Sequence, residues 1–363
     1  MKIAYIITGL ELGGAEMITV NIANKFIEKG HTVIIIYLTG EIAPEHNIHP
    51  LITLYTLRMS KTIKGFYSAF KKTIKIINAF QPDVVHGNMY HANMLIRLLR
   101  LSTSSIPRLI STEHSNNIES NIRMKLYRMT DYLSDINTNV SNVATNLFIE
   151  KKAFSREKSR TVYNGINLDR FTSNIDKRNT IRKELSLKET DFVFLNVGRL
   201  CLAKDQSTLL KAFHIVNKNY DNTKLIVVGD GGLKHSLEHE KIKLGLINKV
   251  FFIGSRSNVE DYYSASDCFV LSSAWEGFGI VLAEAMACKL PVIATESGGC
   301  LEVVNNKDFI VPIKNPFLLS RKMVEVCEMS TYQRLQLGEQ NNKQASNFDI
   351  NKIINIWSKL YFN

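Results

Sequence analysis

The chain has 363 residues, of which 45 % are hydrophobic and 22 % charged, an ordinary balance for a globular protein that argues against intrinsic disorder. Its net charge of +11 indicates a negatively charged partner: nucleic acid, an anionic membrane or a phosphorylated substrate. Residues 1–165 contain 20 basic and 12 acidic side chains, whereas residues 166–363 contain 25 and 22. The basic excess therefore lies mainly in the first half.

Membrane-spanning and disulfide-rich classes are both disfavoured. No apolar run approaches the roughly 18 residues of a spanning helix, and the apolar start is too short for a signal peptide. The five cysteines form no CxxC pair, and we expect them to be reduced thiols in the core. These features predict a cytoplasmic protein.

The first half alternates short β-rich runs with helical periodicity. Residues 2–8 predict a buried strand, residues 15–29 a helix and residues 31–38 a second strand. Because the connections are short, this unit predicts a parallel sheet with a right-handed crossover. Further strands are predicted at 52–57, 83–86 and 108–112.

The same alternation restarts after about residue 165. Strands are predicted at 191–197, 224–228, 249–253, 268–271 and 291–294, and helices at 205–220 and 280–287. We therefore predict two doubly wound α/β domains, with ligands bound beyond the carboxyl ends of the strands. The proposed divisions are a first domain at 1–165, a second domain at 166–343 and a C-terminal helix at 344–363 that crosses back, with a polar linker at 164–179.

A glycine and two cations follow the first strand of the second half. Gly198 and Arg199 come directly after that strand, and Lys204 precedes a helix. Cationic side chains beside a helix N-terminus suit a diphosphate and would stabilise charge on a diphosphate leaving group. The alternative is that both cations belong to solvated loops.

A second motif, WEGFGIVLAEA, follows the strand at 268–271. Glu276 and Glu284 are acceptors suited to sugar hydroxyls, and Gly277 and Gly279 permit close backbone approach. The N–H groups of the next helix start would face phosphate or sugar oxygens, and they belong to Phe278, Gly279, Ile280 and Val281. A solvated Glu284 is the alternative, but its apolar neighbours indicate a buried segment, where a carboxylate needs a partner.

Together these motifs resemble a known family. GRLxxxK at 198–204 and EGFGxxxxE at 276–284 are similar to motifs of the retaining glycosyltransferases of family four. GGAE at 13–16, NGI at 164–166 and GDGG at 229–232 also resemble that family. The resemblance implies an α/β GT-B fold, with two Rossmann-like domains facing across a cleft.

The resemblance also implies roles for individual residues. Arg199 and Lys204 would hold the donor diphosphate, Glu284 would bind the ribose hydroxyls, and Glu276 would contact the transferred sugar. His114, in the segment STEH, matches the histidine that faces the transferring sugar. Catalysis would thus involve His114, Glu276, Arg199 and Lys204, through front-side attack in which the leaving diphosphate accepts the proton. A covalent intermediate on Glu276 is the alternative.

Glycine turns and the base pocket complete the implied donor site. Gly13 and Gly14 would approach the donor phosphate or the acceptor. Gly254 and Arg256 would line the base pocket. No pair of the 13 aspartates forms a DxD motif, so we expect no divalent metal and cationic side chains in its place.

In the fold that the resemblance implies, the basic first half, residues 1–165, is the acceptor-side domain, and residues 166–343 are the nucleotide-sugar domain. In residues 58–75, Phe66, Tyr67 and Phe70 alternate with cations, a pattern that suits an anionic membrane surface. The proposed membrane contacts are Lys61, Lys64, Lys71, Lys72 and Lys75. The alternative is a helix that packs in the core with a solvated basic face.

The predicted function is transfer of a sugar, specifically an N-acetylhexosamine, from a UDP-sugar to a polyprenyl-diphosphate-linked saccharide. The segment VVHGNMYHAN at 84–93 resembles enzymes of bacterial O-antigen or capsule assembly. The enzyme would then work at the inner face of the cytoplasmic membrane. A sugar-nucleotide epimerase or phosphorylase is the alternative, and a nucleic-acid-binding protein, which would need base-reading motifs absent here, is more remote.

Overall fold

The computed structural model describes residues 1–11, 13–44, 46–115 and 120–362. It divides into two compact units, one formed by residues 1–165 with 350–363 and the other by residues 166–349. The boundary predicted after residue 343 falls inside the helix Thr331–Ala345, and the units divide only after Asp349.

The first unit is built on a sheet of seven parallel strands. The described strands are β1 (Lys2–Ile7), β2 (Thr32–Tyr37), β3 (Thr53–Thr56), β4 (Val84–Asn88), β5 (Arg108–Glu113), β6 (Ile136–Asn139) and β7 (Ser159–Thr161). Their order is β3-β2-β1-β4-β5-β6-β7, so the chain reverses its direction of winding between β1 and β4. Val- and Ile-rich β1, β2 and β4 are buried along nearly their whole length, as central parallel strands are.

Helices connect these strands. In the described part of this unit they are α1 (Gly14–Glu28), α2 (Ile63–Phe80), α3 (Tyr90–Leu99), α4 (Asn121–Thr130) and α5 (Asn142–Glu150), with a short 3₁₀ helix at Asp131–Leu133. Side chains cap three of them: Thr62 for α2, Ser120 for α4 and Ser141 for α5.

The second unit contains a six-stranded parallel sheet of order β10-β9-β8-β11-β12-β13. Its strands are β8 (Phe192–Val197), β9 (Thr223–Val228), β10 (Val250–Gly254), β11 (Cys268–Leu271), β12 (Val292–Thr295) and β13 (Ile310–Val311). Its helices are α6 (Ile175–Glu184), α7 (Gln206–Asn219), α8 (Lys234–Lys243), α9 (Val259–Ala265), α10 (Ile280–Ala287), α11 (Cys300–Val304), α12 (Pro316–Glu328) and α13 (Thr331–Ala345), with 3₁₀ helices at Lys307–Phe309 and Ser346–Phe348. The linker predicted at 164–179 is partly wrong, because α6 begins at Ile175 under an Asn174 cap.

The last helix, α14 (Ile350–Phe362), belongs to the first unit and packs on α1. Its Tyr361 hydroxyl lies 3.0 Å from the Tyr5 hydroxyl and 2.6 Å from Nδ1 of His86. The Trp357 ring packs against the His86 ring in a tilted arrangement, with the ring centroids 4.7 Å apart. These buried polar and aromatic contacts fix the helix against the centre of the first sheet.

Helix α2 combines the two interpretations that the sequence left open. Phe66 and Phe70 pack against the hydrophobic core, so they do not form an exposed aromatic stripe. Tyr67 is 57 % exposed, and Lys71 lies over its ring at 4.6 Å. The five proposed membrane lysines are all exposed. In the described part of the chain, no helix is long and apolar enough to cross a membrane.

Candidate functional site

A lysine and a glutamate meet at the carboxyl ends of the two central strands of the second unit. Strands β8 and β11 are neighbours, and the direction of winding reverses between them. The loop after β8 carries Lys204 and the loop after β11 carries Glu276, and the two side chains form an ion pair. Ser273 also donates to Glu276, at 3.3 Å. This switch point is where open α/β sheets bind ligands.

The backbone of both loops is held in register. The amide of Ala274 donates to the carbonyl of Ala203 at 2.8 Å, and the Ser272 hydroxyl donates to the carbonyl of Lys204 at 2.9 Å. The aliphatic part of the Lys204 side chain lies over Gly198. The ammonium group is therefore positioned before any ligand arrives.

Burial and the ion pair with Glu276 shift the pKa of Lys204 in opposite directions. Burial alone lowers the pKa of the ammonium group, but the neighbouring Glu276 carboxylate and its hydrogen bond outweigh it and raise the pKa. Both side chains keep some exposure, 21 % for Lys204 and 15 % for Glu276. The pair thus offers a charged lysine and a carboxylate to a ligand at the switch point.

The turn after β8 packs directly on the turn after β9, and this explains a glycine in GDGG. Gly229 has φ 137°, and a Cβ atom there would lie 2.1 Å from the carbonyl oxygen of Gly198. The amide of Leu200 donates to the carbonyl of Asp230 at 2.9 Å in the same contact. Only glycine allows this backbone approach.

Helix α10 starts at the second motif. Its cap is Gly279 in the left-handed conformation, at φ 85°, and no side chain caps the helix. Gly277 and Phe278 are buried, and the Phe278 ring packs edge-on against Phe348 at 5.2 Å. The first helical residues, Ile280 and Val281, remain partly exposed. A helix start without a side-chain cap can present backbone N–H groups to oxygen atoms of a ligand.

Glu284 lies in the second turn of α10 and is buried, at 4 % exposure. Tyr263 donates to its Oε2 at 2.9 Å. Burial raises the pKa of the carboxyl to about 7, an effect that the Tyr263 hydrogen bond and the Arg170 charge only partly offset. A buried carboxylate with this limited compensation gains from a ligand that donates hydrogen bonds to it.

The remaining donor-site candidates of this unit are more exposed. Arg199 lies on the surface, and its side chain makes no hydrogen bond or ion pair within the described residues. Gly254 ends β10 with φ 77°, next to Arg256. The Arg256 side chain donates to the Tyr262 hydroxyl at 3.2 Å and to the carbonyl of Ser255 at 2.9 Å. These residues follow β8 and β10, at the same edge of the sheet as Lys204.

The first unit places its candidates at the carboxyl ends of β1 and β5. Gly13 caps α1 and Gly14 is its first residue, and the space above Gly13 is filled by the carboxylate of Glu16. His114 directly follows β5 and is partly buried, with Nε2 2.9 Å from Oδ1 of Asn88. Burial lowers the pKa of His114 to about 4, so the ring is neutral at physiological pH.

Within the described ranges, no three His, Cys, Asp or Glu side chains are grouped so that they could hold a metal ion. The five cysteines are free thiols, of which Cys201 and Cys327 are partly exposed and the other three buried. Cys300 lies beneath the second motif, and a Cβ atom on Gly279 would lie 3.5 Å from its sulfur.

Two family profiles match this chain. Glycosyltransferase Family 4 matches residues 12–170, and Glycosyl transferases group 1 matches residues 177–344. The chain belongs to glycosyltransferase family 4. The family resemblance that the sequence motifs carried is thereby confirmed, and the protein is a glycosyltransferase.

Two relatives are similar along much of the chain. An uncharacterized glycosyltransferase of Methanocaldococcus jannaschii is 30 % identical over 278 residues, covering 72 % of this chain and 66 % of the relative, so the chain spans about two thirds of that protein. The UDP-Gal:alpha-D-GlcNAc-diphosphoundecaprenol alpha-1,3-galactosyltransferase of Escherichia coli is 25 % identical over 319 residues, covering 84 % of this chain and 80 % of the relative.

A solved structure shows the same fold. HepE from Anabaena, crystallised with UDP, superposes on this glycosyltransferase with a TM-score of 0.84 at 21 % identity, covering 99 % of each chain. This similarity and the two parallel Rossmann-like sheets confirm the predicted GT-B fold class.

The sequence did not indicate several contacts of the site. Tyr263 and Arg170 act on the charge of Glu284, yet neither stands in a motif that would mark it. Arg170 makes two hydrogen bonds to Glu260, at 3.1 and 2.8 Å. Asn88 lies two residues beyond the strand predicted at 83–86, inside the segment VVHGNMYHAN, and was not a site candidate, because only the sheet brings it to His114.

Proposed function

We propose that this glycosyltransferase transfers a sugar from a UDP-sugar to a polyprenyl-diphosphate-linked saccharide in the assembly of a bacterial surface polysaccharide. The observation that carries the proposal is the ion pair of Lys204 and Glu276 at the switch point of the second sheet. A single cation beside a carboxylate matches a donor that combines a diphosphate with a neutral sugar.

The donor contacts follow from the chemistry of each side chain. Lys204, helped by Arg199, would neutralise the diphosphate, and its charge would stabilise the leaving group as the sugar–oxygen bond breaks. Glu276 would accept from hydroxyls of the transferred sugar. Glu284, buried and incompletely compensated, would accept from the ribose hydroxyls. The uncapped start of α10 would donate to the donor's oxygens.

Retention without a metal ion is part of this proposal. The bond from the anomeric carbon to the diphosphate oxygen breaks, and the acceptor oxygen bonds to the same face of that carbon. The proton of the acceptor hydroxyl passes to the departing diphosphate. Lys204 and Arg199 supply the positive charge that a divalent cation supplies in other transferases.

The proposed acceptor rests on the name of the Escherichia coli relative, which acts on a diphosphoundecaprenol-linked sugar. A lipid-linked acceptor requires contact with a membrane, and the first unit offers exposed cations on α2. Helix α4 adds exposed apolar side chains, with Ile122 at 68 % and Met129 at 69 % exposure. Lys125 and Arg128 are exposed on the same helix, and this combination suits the anionic inner face of the cytoplasmic membrane.

A donor panel tests the reaction. UDP-glucose, UDP-galactose and their N-acetyl forms are incubated with a short undecaprenyl-diphosphate sugar analogue, with and without EDTA. We expect transfer from an N-acetylhexosamine donor, an axial α-linkage by NMR and turnover unaffected by EDTA. Donor conversion without an acceptor would indicate an epimerase, and turnover that needs inorganic phosphate would indicate a phosphorylase.

A matched pair of lysine variants tests the donor site. Lys204→Ala should abolish transfer because it removes the cation at the switch point. Lys211→Ala removes an exposed lysine of α7, whose ion pair with Glu240 is 3.6 Å long, and should retain transfer. Equal activity in the two variants would refute the role of Lys204.

Vesicle sedimentation tests the membrane contact. Neutralising Lys71, Lys72 and Lys75 together should weaken binding to vesicles that contain anionic lipid, and the remaining binding should become less sensitive to salt. Neutralising Lys241 and Lys243, on α8 of the second unit, serves as the control. Unchanged binding in the first variant would reject this surface.

A further inference from the structure

An asparagine and a histidine are tied together at the carboxyl ends of two neighbouring strands. Strands β4 and β5 pair in parallel with Asn88 opposite Thr112, and His114 follows two residues later. Nε2 of His114 lies 2.9 Å from Oδ1 of Asn88. Asn88 is buried, at 3 % exposure. The hydrogen bond therefore has little competition from solvent.

The direction of this hydrogen bond determines which ring nitrogen carries the proton. An amide oxygen can only accept, so Nε2 must donate, and in a neutral ring Nδ1 then has no proton. Nδ1 is buried and has no hydrogen-bond partner within the described residues. Nδ2 of Asn88 is likewise a buried donor without a partner there. At this end of the sheet, Nδ1 of His114 can therefore accept a hydrogen bond and Nδ2 of Asn88 can donate one.

The backbone around Asn88 is fixed. The next residue, Met89, has φ 73° and ψ 159°, a positive-φ conformation that costs free energy in any residue with a side chain. Its amide donates to the carbonyl of Thr112 at 3.0 Å, and Asn93 donates to the same carbonyl at 2.9 Å. These bonds connect the end of β4 to the end of β5 and hold Asn88 beside His114.

The neighbouring titratable groups leave the His114 ring neutral. His86, on β4, is buried between Thr112 and Tyr361, and burial lowers its pKa to about 3. The Glu113 carboxyl accepts from the Tyr127 hydroxyl. Burial raises the pKa of Glu113 to about 6. Among the described residues, the Asn88 amide is the group that is hydrogen-bonded to the His114 ring, and no carboxylate is.

We propose that Asn88 is a positioning residue that holds His114 in the Nε2–H form, so that Nδ1 accepts a hydrogen bond from a hydroxyl group of a sugar substrate. A bare imidazole nitrogen needs a partner that donates, and a phosphate oxygen without a proton cannot. The hydroxyl belongs to the donor sugar or to the acceptor saccharide. This role rests on the proposed sugar transfer, but the protonation of His114 does not.

The first test needs no substrate and no variant of Asn88. Protein labelled with ¹⁵N-histidine is studied by two-bond ¹H–¹⁵N correlation at pH 7, and His114→Gln identifies the His114 signals among those of the nine histidines. We expect a protonated Nε2 and an unprotonated Nδ1. A proton on Nδ1 at pH 7 would overturn the proposal.

The second test uses Asn88→Asp, which places a carboxylate against Nε2–H. The titration midpoint of His114 should rise by about one to three pH units, because a carboxylate stabilises the charged ring. Turnover should then fall about tenfold one pH unit below the raised midpoint, where Nδ1 is mostly protonated, and recover at pH 9. Asn341→Asp is the control, since Asn341 is a buried asparagine of the other unit that donates to Leu290.

Circular dichroism measures whether Asn88→Asp is folded. If Asn88→Asp does not fold, Asn88→Leu is used instead, because it also removes the amide oxygen that accepts from His114. Asn88→Leu should lower kcat/KM about tenfold at every pH, without an acidic limb. A folded Asn88→Asp with unchanged His114 titration, or an Asn88→Leu with full activity, would overturn the proposal. If His114 carries its proton on Nε2 as expected but the protein transfers no sugar, the proposed function is overturned instead.

Deoxy substrates distinguish the two sources of the hydroxyl. If it belongs to the donor, one monodeoxy UDP-sugar should react equally well with the wild type and with Asn88→Leu, because the bond is already lost. If it belongs to the acceptor, one deoxy acceptor should behave in this way. If every deoxy donor and every deoxy acceptor loses the same factor in turnover with Asn88→Leu as with the wild type, Nδ1 does not accept from a sugar hydroxyl. That result would overturn the proposal.

Discussion

Replacing Glu284 with glutamine should stabilise the protein at high pH and leave it nearly unchanged at low pH. Glu284 is buried and accepts one hydrogen bond from Tyr263. A glutamine at this position can keep that hydrogen bond through its amide oxygen but carries no charge. The variant therefore removes the cost of ionising a carboxyl away from water and little else.

The size of the effect follows from the pKa of Glu284. The pKa is about 7 in the folded protein against an ordinary value of 4.5. This difference corresponds to about 3 kcal/mol. Between these two values the folded state binds a proton that the unfolded state releases, so the free energy of unfolding falls as pH rises. Above about pH 7 the free energy of unfolding has fallen by this full amount, and below pH 4.5 it has not fallen at all.

Thermal unfolding without ligand measures the difference. At pH 8.5 the Glu284→Gln midpoint should exceed that of the wild type by about 6–12 °C, and at pH 5 the gap should nearly close. Glu325→Gln, which changes an exposed glutamate paired with Lys322, is the matched control. An equal gap at both pH values would refute the reasoning. The same carboxylate should make UDP bind more tightly as pH rises towards 8 in the wild type, but not in the variant.

Three further predictions concern single residues. Gly229→Ala should prevent soluble expression or lower the midpoint strongly, because its Cβ would meet backbone at 2.1 Å, whereas Gly232→Ala, with open space around it, should behave as the wild type in the same thermal scan. Tyr361→Phe should cost about 1–3 kcal/mol in denaturant unfolding, because it removes the hydrogen-bond partner of Nδ1 of buried His86. Iodoacetamide should not inactivate the native enzyme through Cys300, since burial raises the pKa of that thiol to about 12; mass spectrometry that finds rapid labelling there would contradict this.

Local pattern predicted most of the two sheets. The strand predicted at 268–271 and the helix at 280–287 coincide with β11 and α10, because apolar runs and a glycine cap define both within the segment itself. The short strands β6, β7 and β13 were not predicted. Strand β6 reads Ile-Asn-Thr-Asn, and its polar side chains are buried only because neighbouring elements supply hydrogen-bond partners.

The candidate site likewise contains residues that the local sequence pattern indicated and contacts that only the tertiary structure shows. Glycines, cations and acidic residues placed after strands indicated Lys204, Glu276 and Glu284, since parallel strands bring their carboxyl ends to one edge. The sequence could not indicate that Tyr263 donates to Glu284 or that Asn88 accepts from His114. Both contacts join segments that are distant along the chain.

The sequence by itself thus determined the fold class, the family and the two motifs at 198–204 and 276–284, because periodicity and short glycine-containing turns are local properties. The net charge of +11 indicated an anionic partner without choosing among the candidates. Only the tertiary structure decided which charges are paired, buried or free: Lys204 with Glu276 in one unit, neutral His114 with Asn88 in the other, and exposed lysines on α2. The physical reason is that burial and partner distance set the charge state of a side chain, and both depend on residues far away in the sequence.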